Sequence, residues 1–275
     1  MNRIIAVIIY ACFALGLTAQ IVSKFEKRFN PDSIRRDFRD QPYFGLYKDN
    51  YFIFGPQLPK ANRHNTNVKF QISIAQRLTR ATLPFGTYLY LFYTQKCFWN
   101  VLENSLPMSD LNFNPGIGIT KPLFVKDRYI GKASLILEHE SNGRDSIWSR
   151  SWNKVSLSAN IIIDPNLSVA GKIWVPIIDG ENNRDILKYC GIYQVSVQAM
   201  SNDRKITSAI TMVKRAGWNF NYNIIFELGY RFSKFNQYVF LQYYNGYGEG
   251  LLDYKVWKSQ LRVGILIKPQ MFSDF

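Results

Sequence analysis

The stretch Asn153-Lys154-Val155-Ser156-Leu157-Ser158-Ala159-Asn160-Ile161 alternates two kinds of side chain without a break. A period of two places Asn153, Val155, Leu157, Ala159 and Ile161 on one face of an extended strand, and Lys154, Ser156, Ser158 and Asn160 on the other. The same pattern recurs along the chain. Val68, Phe70, Ile72 and Ile74 alternate with Lys69, Gln71 and Ser73, and Leu167, Val169, Ile173 and Val175 alternate with Ser168 and Lys172. Leu89, Leu91 and Tyr93 share a face opposite Tyr88 and Tyr90. About twelve strands are expected, near 51–54, 67–76, 86–97, 112–120, 130–140, 152–163, 167–177, 189–200, 205–214, 219–231, 237–246 and 259–267.

A soluble β-sandwich would alternate in the same way, so other features must decide. Most segments run to the length that a tilted strand needs to cross a bilayer. Aromatic residues cluster near segment ends, at Tyr43–Phe44, Phe98–Trp99, Tyr243–Tyr244 and Tyr247, as interfacial girdles do. Arg3, the apolar run Ile4–Leu17 and the small residues ending at Ala19 read as a secretory signal. The chain also ends in Phe275, as outer-membrane barrels commonly do. The expected fold is therefore all-β: a twelve-stranded antiparallel transmembrane β-barrel of the outer membrane. Residues 1–19 are the expected signal peptide, 20–42 a polar N-terminal arm rich in Lys and Arg, and 43–275 the barrel.

Composition excludes several alternatives. After residue 17 no stretch approaches the ~20 consecutive apolar residues of a membrane helix. With 47% hydrophobic and 16% aromatic residues, the chain has too much apolar surface for disorder. The formal charge of +14 is spread thinly from Lys24 to Lys268, with no nucleic-acid-binding motif, so no nucleic-acid partner is expected. Cys12, Cys97 and Cys190 form neither a disulfide framework nor a zinc pattern.

Of the two histidines, His64 sits in a polar turn. His139 lies in a strand, in phase with Leu135, Leu137 and Ser141, while Glu138 and Glu140 face the other way. If the apolar face meets lipid, an imidazole and a hydroxyl stand two residues apart on the outer wall. Asn153, in phase with Val155 and Leu157, shares that wall and can be the cross-strand neighbour of His139. Polar groups facing hydrocarbon are costly. Serine, histidine and an orienting third group make up the logic of a hydrolytic triad. Spacing alone also allows polar residues at a barrel rim, and a His-x-Ser pair is common by chance.

The longer string His139-Glu140-Ser141-Asn142-Gly143-Arg144, continued by Ser149-Arg150-Ser151-Trp152-Asn153, resembles the signature of the bacterial outer-membrane phospholipase A family. The resemblance extends upstream to Tyr93-Thr94-Gln95-Lys96. Downstream it reaches Gly246-Tyr247-Gly248-Glu249 and Leu252-Asp253-Tyr254, and it covers roughly residues 43–275. It implies a calcium-dependent phospholipase A1/A2, with lysophospholipase activity, that is active as a homodimer on membrane phospholipid. Carried onto this chain, Ser141 is the nucleophile, His139 the base and Asn153 the residue that orients it. The family's calcium position falls on the Arg144 carbonyl and the Ser149 hydroxyl. A carbonyl from the neighbouring protomer completes it, here best matched by Ser105, although the segment Asn104–Asp110 is two residues shorter. A second calcium position falls on Asp185, but its other carboxylate is replaced by Ser146, with Asp145 adjacent. Gln95 matches a glutamine on the lipid-facing dimer surface. Two other readings stay open: a non-enzymatic barrel, pore or adhesin, with an open lumen, and a degenerate phospholipase with a damaged metal site.

Overall fold

The structure, a computed structural model, describes residues 43–125, 128–177, 181–233 and 235–269. The signal, the basic arm and Phe275 lie outside the described residues. The alternating segments form one antiparallel sheet that closes on itself: β1 (Phe44–Leu46), β2 (Asn50–Pro56), β3 (Thr66–Arg77), β4 (Tyr88–Trp99), β5 (Met108–Val125), β6 (Arg128–Ser141), β7 (Ser151–Asp164), β8 (Leu167–Ile177), β9 (Tyr193–Met200), β10 (Ile206–Lys214), β11 (Tyr222–Arg231), β12 (Gln237–Gly246) and β13 (Lys258–Ile267). From β2 onward each strand pairs with its neighbours in sequence, β1 pairs with β3, and β13 returns to β2.

The barrel has twelve staves, because β1 and β2 are two parts of one. Leu46 pairs with Ile74 and Tyr51 with Gln71, both on the same edge of β3, so two extra residues bulge out between them. The Asn50 side chain repairs the break: its Nδ2 donates to the Ser73 carbonyl and its Oδ1 accepts from the Ser73 N–H.

Several boundaries differ from the alternation pattern for local reasons. β5 is longer than 112–120 and runs through Pro115, which has no N–H to give the ladder. The Asn114 side-chain amide instead donates to the His139 carbonyl at 2.8 Å. β9 begins at Tyr193 rather than 189, since Leu187–Cys190 forms a single helical turn (α1) ended by Gly191 at φ +95°. β11 begins at Tyr222, after a turn through Gly217. Two of the aromatic pairs divide between faces, as neighbouring residues of a strand must: Phe98 and Tyr244 are buried inside, so only Trp99 and Tyr243 can belong to a girdle, whereas Tyr43 and Phe44 are both exposed.

The wall is inverted relative to a water-soluble barrel. Ile72, Leu91, Leu135, Leu157, Ile173, Val175 and Ile265 are exposed on the outside. Lys69, Glu138, Lys154, Lys172 and Arg262 are buried within. Buried charges need partners. Glu138 is paired with Lys172, Lys154 lies 2.9 Å from Glu140, and Glu249 is held by Lys69 at 3.1 Å and Arg262 at 2.6 Å.

The barrel is filled rather than open. Tyr51, Ile53, Tyr238, Phe240 and Leu266 pack across the end where β2 starts and β13 finishes. At the other end the β12–β13 loop folds inward, where the Leu251 and Leu252 N–H groups donate to Asn112 and Asp110. Trp152, Ile186, Leu251 and Tyr254 cluster there. Between the two lies a polar cavity of about 240 Å³, with Lys48, Lys96, Glu138 and Glu227 among its lining. That arrangement is not the open lumen expected of a pore.

The seam where β13 meets β2 is the shortest-paired part of the wall, running from Val263↔Phe54 to Ile267↔Asn50. It is also tight. A Cβ on Gly264 would fall 2.1 Å from the Phe52 carbonyl oxygen, and one on Gly55 would fall 2.0 Å from that of Leu261. By contrast β6 and β7 pair without a break from Gly131↔Ile161 to Ser141↔Ser151.

Candidate active site

β6 ends and β7 begins at the rim opposite the start of β2 and the finish of β13, and the rungs there include His139↔Asn153 and Ser141↔Ser151. The phase read from sequence holds: Leu135, Leu137, Val155 and Leu157 are exposed on the outside, and His139, Ser141 and Asn153 continue the same face, half-buried. Ser151 gives both its backbone N–H and its carbonyl to the side facing away from β6. Ser141–Ser151 and, by alternation, His139–Asn153 are therefore non-hydrogen-bonded pairs, whose side chains stand closest together.

His139 Nδ1 lies 2.8 Å from Asn153 Oδ1. An amide oxygen only accepts, so Nδ1 is the donor, and in the neutral imidazole Nε2 then holds the lone pair. Ser141 is two residues further along the same face. Among the described residues its hydroxyl is not hydrogen-bonded to the ring, a contact often long in the absence of substrate.

The loop 142–150 is built around Asn142, which is buried. Its backbone N–H donates to the Arg150 carbonyl, its Oδ1 accepts from the Arg150 N–H, and its Nδ2 donates to the Trp148 carbonyl. Arg150 ties the Ile147 and Ser149 carbonyls, and the Arg144 guanidinium reaches the Ser109 carbonyl at the start of β5. Sequence reasoning passed over Asn142 and Asn114. The signal was present, since asparagine is a poor strand former and earns such a place by its side-chain bonds.

The candidate calcium residues divide into two groups. Among the described residues neither the Arg144 carbonyl nor the Ser149 hydroxyl is engaged in a hydrogen bond, and both belong to the loop that follows Ser141. Uncommitted oxygen donors suit a hard cation that keeps several waters, so these residues fit calcium. Ser105 stands on the exposed β4–β5 turn at φ +63°, clear of its own barrel's interior. Asp185 does not fit a second cation. Its carboxylate accepts from the Tyr254 hydroxyl, and the Lys255 ammonium lies 2.8 Å away. Burial pulls the Asp185 carboxyl upward, but Lys255 and Tyr254 outweigh it and hold it below its ordinary value. Asn182 Nδ2 donates to the carbonyl of Ser146, the residue that replaces the other carboxylate. No cluster of three His, Cys, Asp or Glu occurs among the described residues.

Gln95 faces outward on β4, in one cross-strand row with Phe113 and Ser141. Its amide is held along its own strand: Tyr93 Oη donates to Oε1 at 2.9 Å, and Nε2 points to Cys97 Sγ at 3.4 Å. Cys97 and Cys190 are both unbridged.

The Phospholipase A1 family profile matches residues 46–267. The chain belongs to the phospholipase A1 family. It is 32% identical to the Phospholipase A1 of Proteus vulgaris over 213 residues, covering 75% of this chain and 71% of that one. It is 32% identical to the Phospholipase A1 of Escherichia coli K12 over 215 residues, with the same shares. Among solved structures, the outer membrane phospholipase A from Escherichia coli superposes with a TM-score of 0.73 at 26% identity, covering 83% of this chain and 99% of that one. The Salmonella typhi outer membrane phospholipase dimer with bound calcium superposes with a TM-score of 0.72 at 25% identity, covering 87% and 97%. The protein is a phospholipase of the bacterial outer membrane, and the apolar exterior of its barrel is the surface that meets lipid.

Proposed function

We propose that this phospholipase cleaves acyl esters of membrane phospholipids from its outer wall, at either acyl position and on lysophospholipids, with Ser141 as nucleophile. The observation that carries the reading is the 2.8 Å contact of His139 Nδ1 with Asn153 Oδ1 on a wall otherwise apolar. Ser141 Oγ attacks the ester carbonyl while His139 Nε2 takes its proton. The imidazolium then returns that proton to the departing glycerol oxygen, leaving an acyl-serine. Water, deprotonated by Nε2, releases the fatty acid and restores Ser141. Asn153 keeps the proton on Nδ1 throughout. A neutral amide suits the task better than a carboxylate here, since a lone charge against hydrocarbon is expensive. The Gly143 N–H, which donates to nothing among the described residues, is the proposed backbone donor to the developing oxyanion.

Calcium, held by the Arg144 carbonyl and the Ser149 hydroxyl, would add positive charge beside that oxyanion. The ligand set is completed by the Ser105 carbonyl of a second copy, so the active form is the homodimer, with Gln95 on the surface between copies. The calcium-bound dimer of the Salmonella typhi enzyme supports both points. Since Lys255 already neutralises Asp185, one calcium per protomer is expected. Residues 1–19 serve as the cleaved export signal and 20–42 as a polar arm ahead of the barrel.

Fatty-acid release from phosphatidylethanolamine in detergent micelles, with calcium and then with EDTA, tests the reading. Full activity of Ser141→Ala, or indifference to EDTA, overturns it.

A further inference from the structure

We propose that Asn183, in the β8–β9 connection, is a positioning residue for the hydrolytic site: its side chain binds both backbone groups of Ser151, as a strand rung would, beside the nucleophile. This rests on the reading of Ser141, His139 and Asn153 as the triad.

The β7–β8 ladder starts at Asn153↔Ile177, where β8 ends. Ser151 lies two residues nearer the rim, and on that side it has no strand partner among the described residues. Its N–H and carbonyl still face β8, and Asn183 meets both. Ser151 N donates to Asn183 Oδ1 at 3.2 Å, and Asn183 Nδ2 donates to the Ser151 carbonyl at 2.9 Å. A carboxamide presents one donor and one acceptor side by side, as a strand's backbone does. Asn183 is 0% exposed, so these bonds do not compete with water. The next residue back, Asn182, reaches over to the Ser146 carbonyl in the loop that follows Ser141. The segment is itself anchored by Ile186, fully buried against Trp152, Leu251 and Tyr254.

The consequence lies in what this rung supports. Ser151 is directly opposite Ser141, and Asn153 is two residues on. At a rim, the first residues of a strand fray unless both edges are held. Asn183 holds the outer edge of β7 there, and Asn142 bridges from β6 on the other side through Arg150. Catalysis tolerates little error in such placement, since a 1 Å displacement costs about 10²-fold.

The test compares wild type, Asn183→Leu, Asn183→Asp and Ser141→Ala as full-length folded barrels in detergent. Leucine keeps the volume and makes no bond, while aspartate keeps the acceptor and loses the donor. The measurements are kcat and KM on phosphatidylethanolamine micelles at saturating calcium, and the labelling rate of Ser141 by hexadecanesulfonyl fluoride per folded molecule. Heat-modifiable gel migration reports the folded barrel. Expected is a fall in kcat of roughly 10- to 100-fold for both Asn183 variants, with KM within twofold, a parallel fall in labelling rate and unchanged gel migration. A merely structural role would lower the folded fraction and leave the labelling rate per folded molecule unmoved. Wild-type kcat and labelling in Asn183→Leu, with Ser141→Ala inactive, overturns this proposal alone. An active Ser141→Ala overturns the triad reading beneath it. Loss of the folded barrel in both Asn183 variants also overturns the proposal, since Asn183 would then serve folding rather than positioning.

Discussion

Replacing Asn153 with alanine removes the acceptor that stands 2.8 Å from His139 Nδ1. The ring then keeps a half-buried N–H without that partner, and the tautomer that leaves Nε2 able to accept a proton loses its support. An unsatisfied donor costs about 1–3 kcal/mol. At about 1.4 kcal/mol per decade, that corresponds to a loss of roughly 5- to 150-fold in kcat. KM should change little, because Asn153 faces the ring rather than the substrate. The assay is initial-rate fatty-acid release from mixed micelles between pH 6 and pH 9 at saturating calcium, with gel migration showing that the barrel is folded. Because the amide selects a tautomer, the loss should persist across that range. An Asn153→Ala enzyme within twofold of wild type across that range would refute the role assigned to Asn153.

Four further outcomes are expected. Leu137 is 52% exposed on the outer wall, so Leu137→Arg should lower folding stability in liposomes by about 2–4 kcal/mol if it lies near the bilayer midplane, read from the urea midpoint. Glu249→Ala leaves Lys69 and Arg262 buried without their shared carboxylate and should cost about 3–5 kcal/mol, read in the same way. Burial pushes the Glu249 carboxyl up, but Arg262 and Lys69 pull it well below the usual carboxylate range. Its stabilisation is therefore complete above the ordinary value of about 4.3 and declines as the pH falls below it; Trp257 fluorescence should report acid release of the loop in wild type and not in Glu249→Gln. Lys255→Met should free Asp185 for a weak second cation, so terbium luminescence should titrate one site per protomer in wild type and a second, weaker one in the variant.

The barrel was legible because alternation is a direct trace of a two-faced wall. Lys154, Ser156 and Asn160 could face inward only if Val155 and Leu157 faced out, and each strand repeated the choice. The polar row on the outer wall was legible for the same reason: His139, Ser141 and Asn153 fell in phase with leucines and valines, where polar groups need a purpose. What stayed hidden depends on pairing across long separations. Asn183 reads as an ordinary loop residue until its carboxamide is seen to meet both the N–H and the carbonyl of Ser151, thirty-two residues away. Asp185 reads as a calcium ligand until Lys255, seventy residues further along, is seen beside it. Glu249 carries no sign in its own segment that the β12–β13 loop turns into the barrel to meet Lys69 and Arg262.

The short, tightly fitted seam between β13 and β2 gives the cylinder a built-in order of failure. A closed sheet opens where the fewest backbone bonds must break at once, and that is the seam. The hairpin bearing His139, Ser141 and Asn153 lies on nearly the opposite side of the ring from it, in an unbroken ladder. Heat, denaturant or pulling on the termini should therefore unzip the wall from the seam, with hydrolytic geometry among the last features to go. Residual activity would then outlast the loss of the closed cylinder, and the two could be followed separately on the same sample.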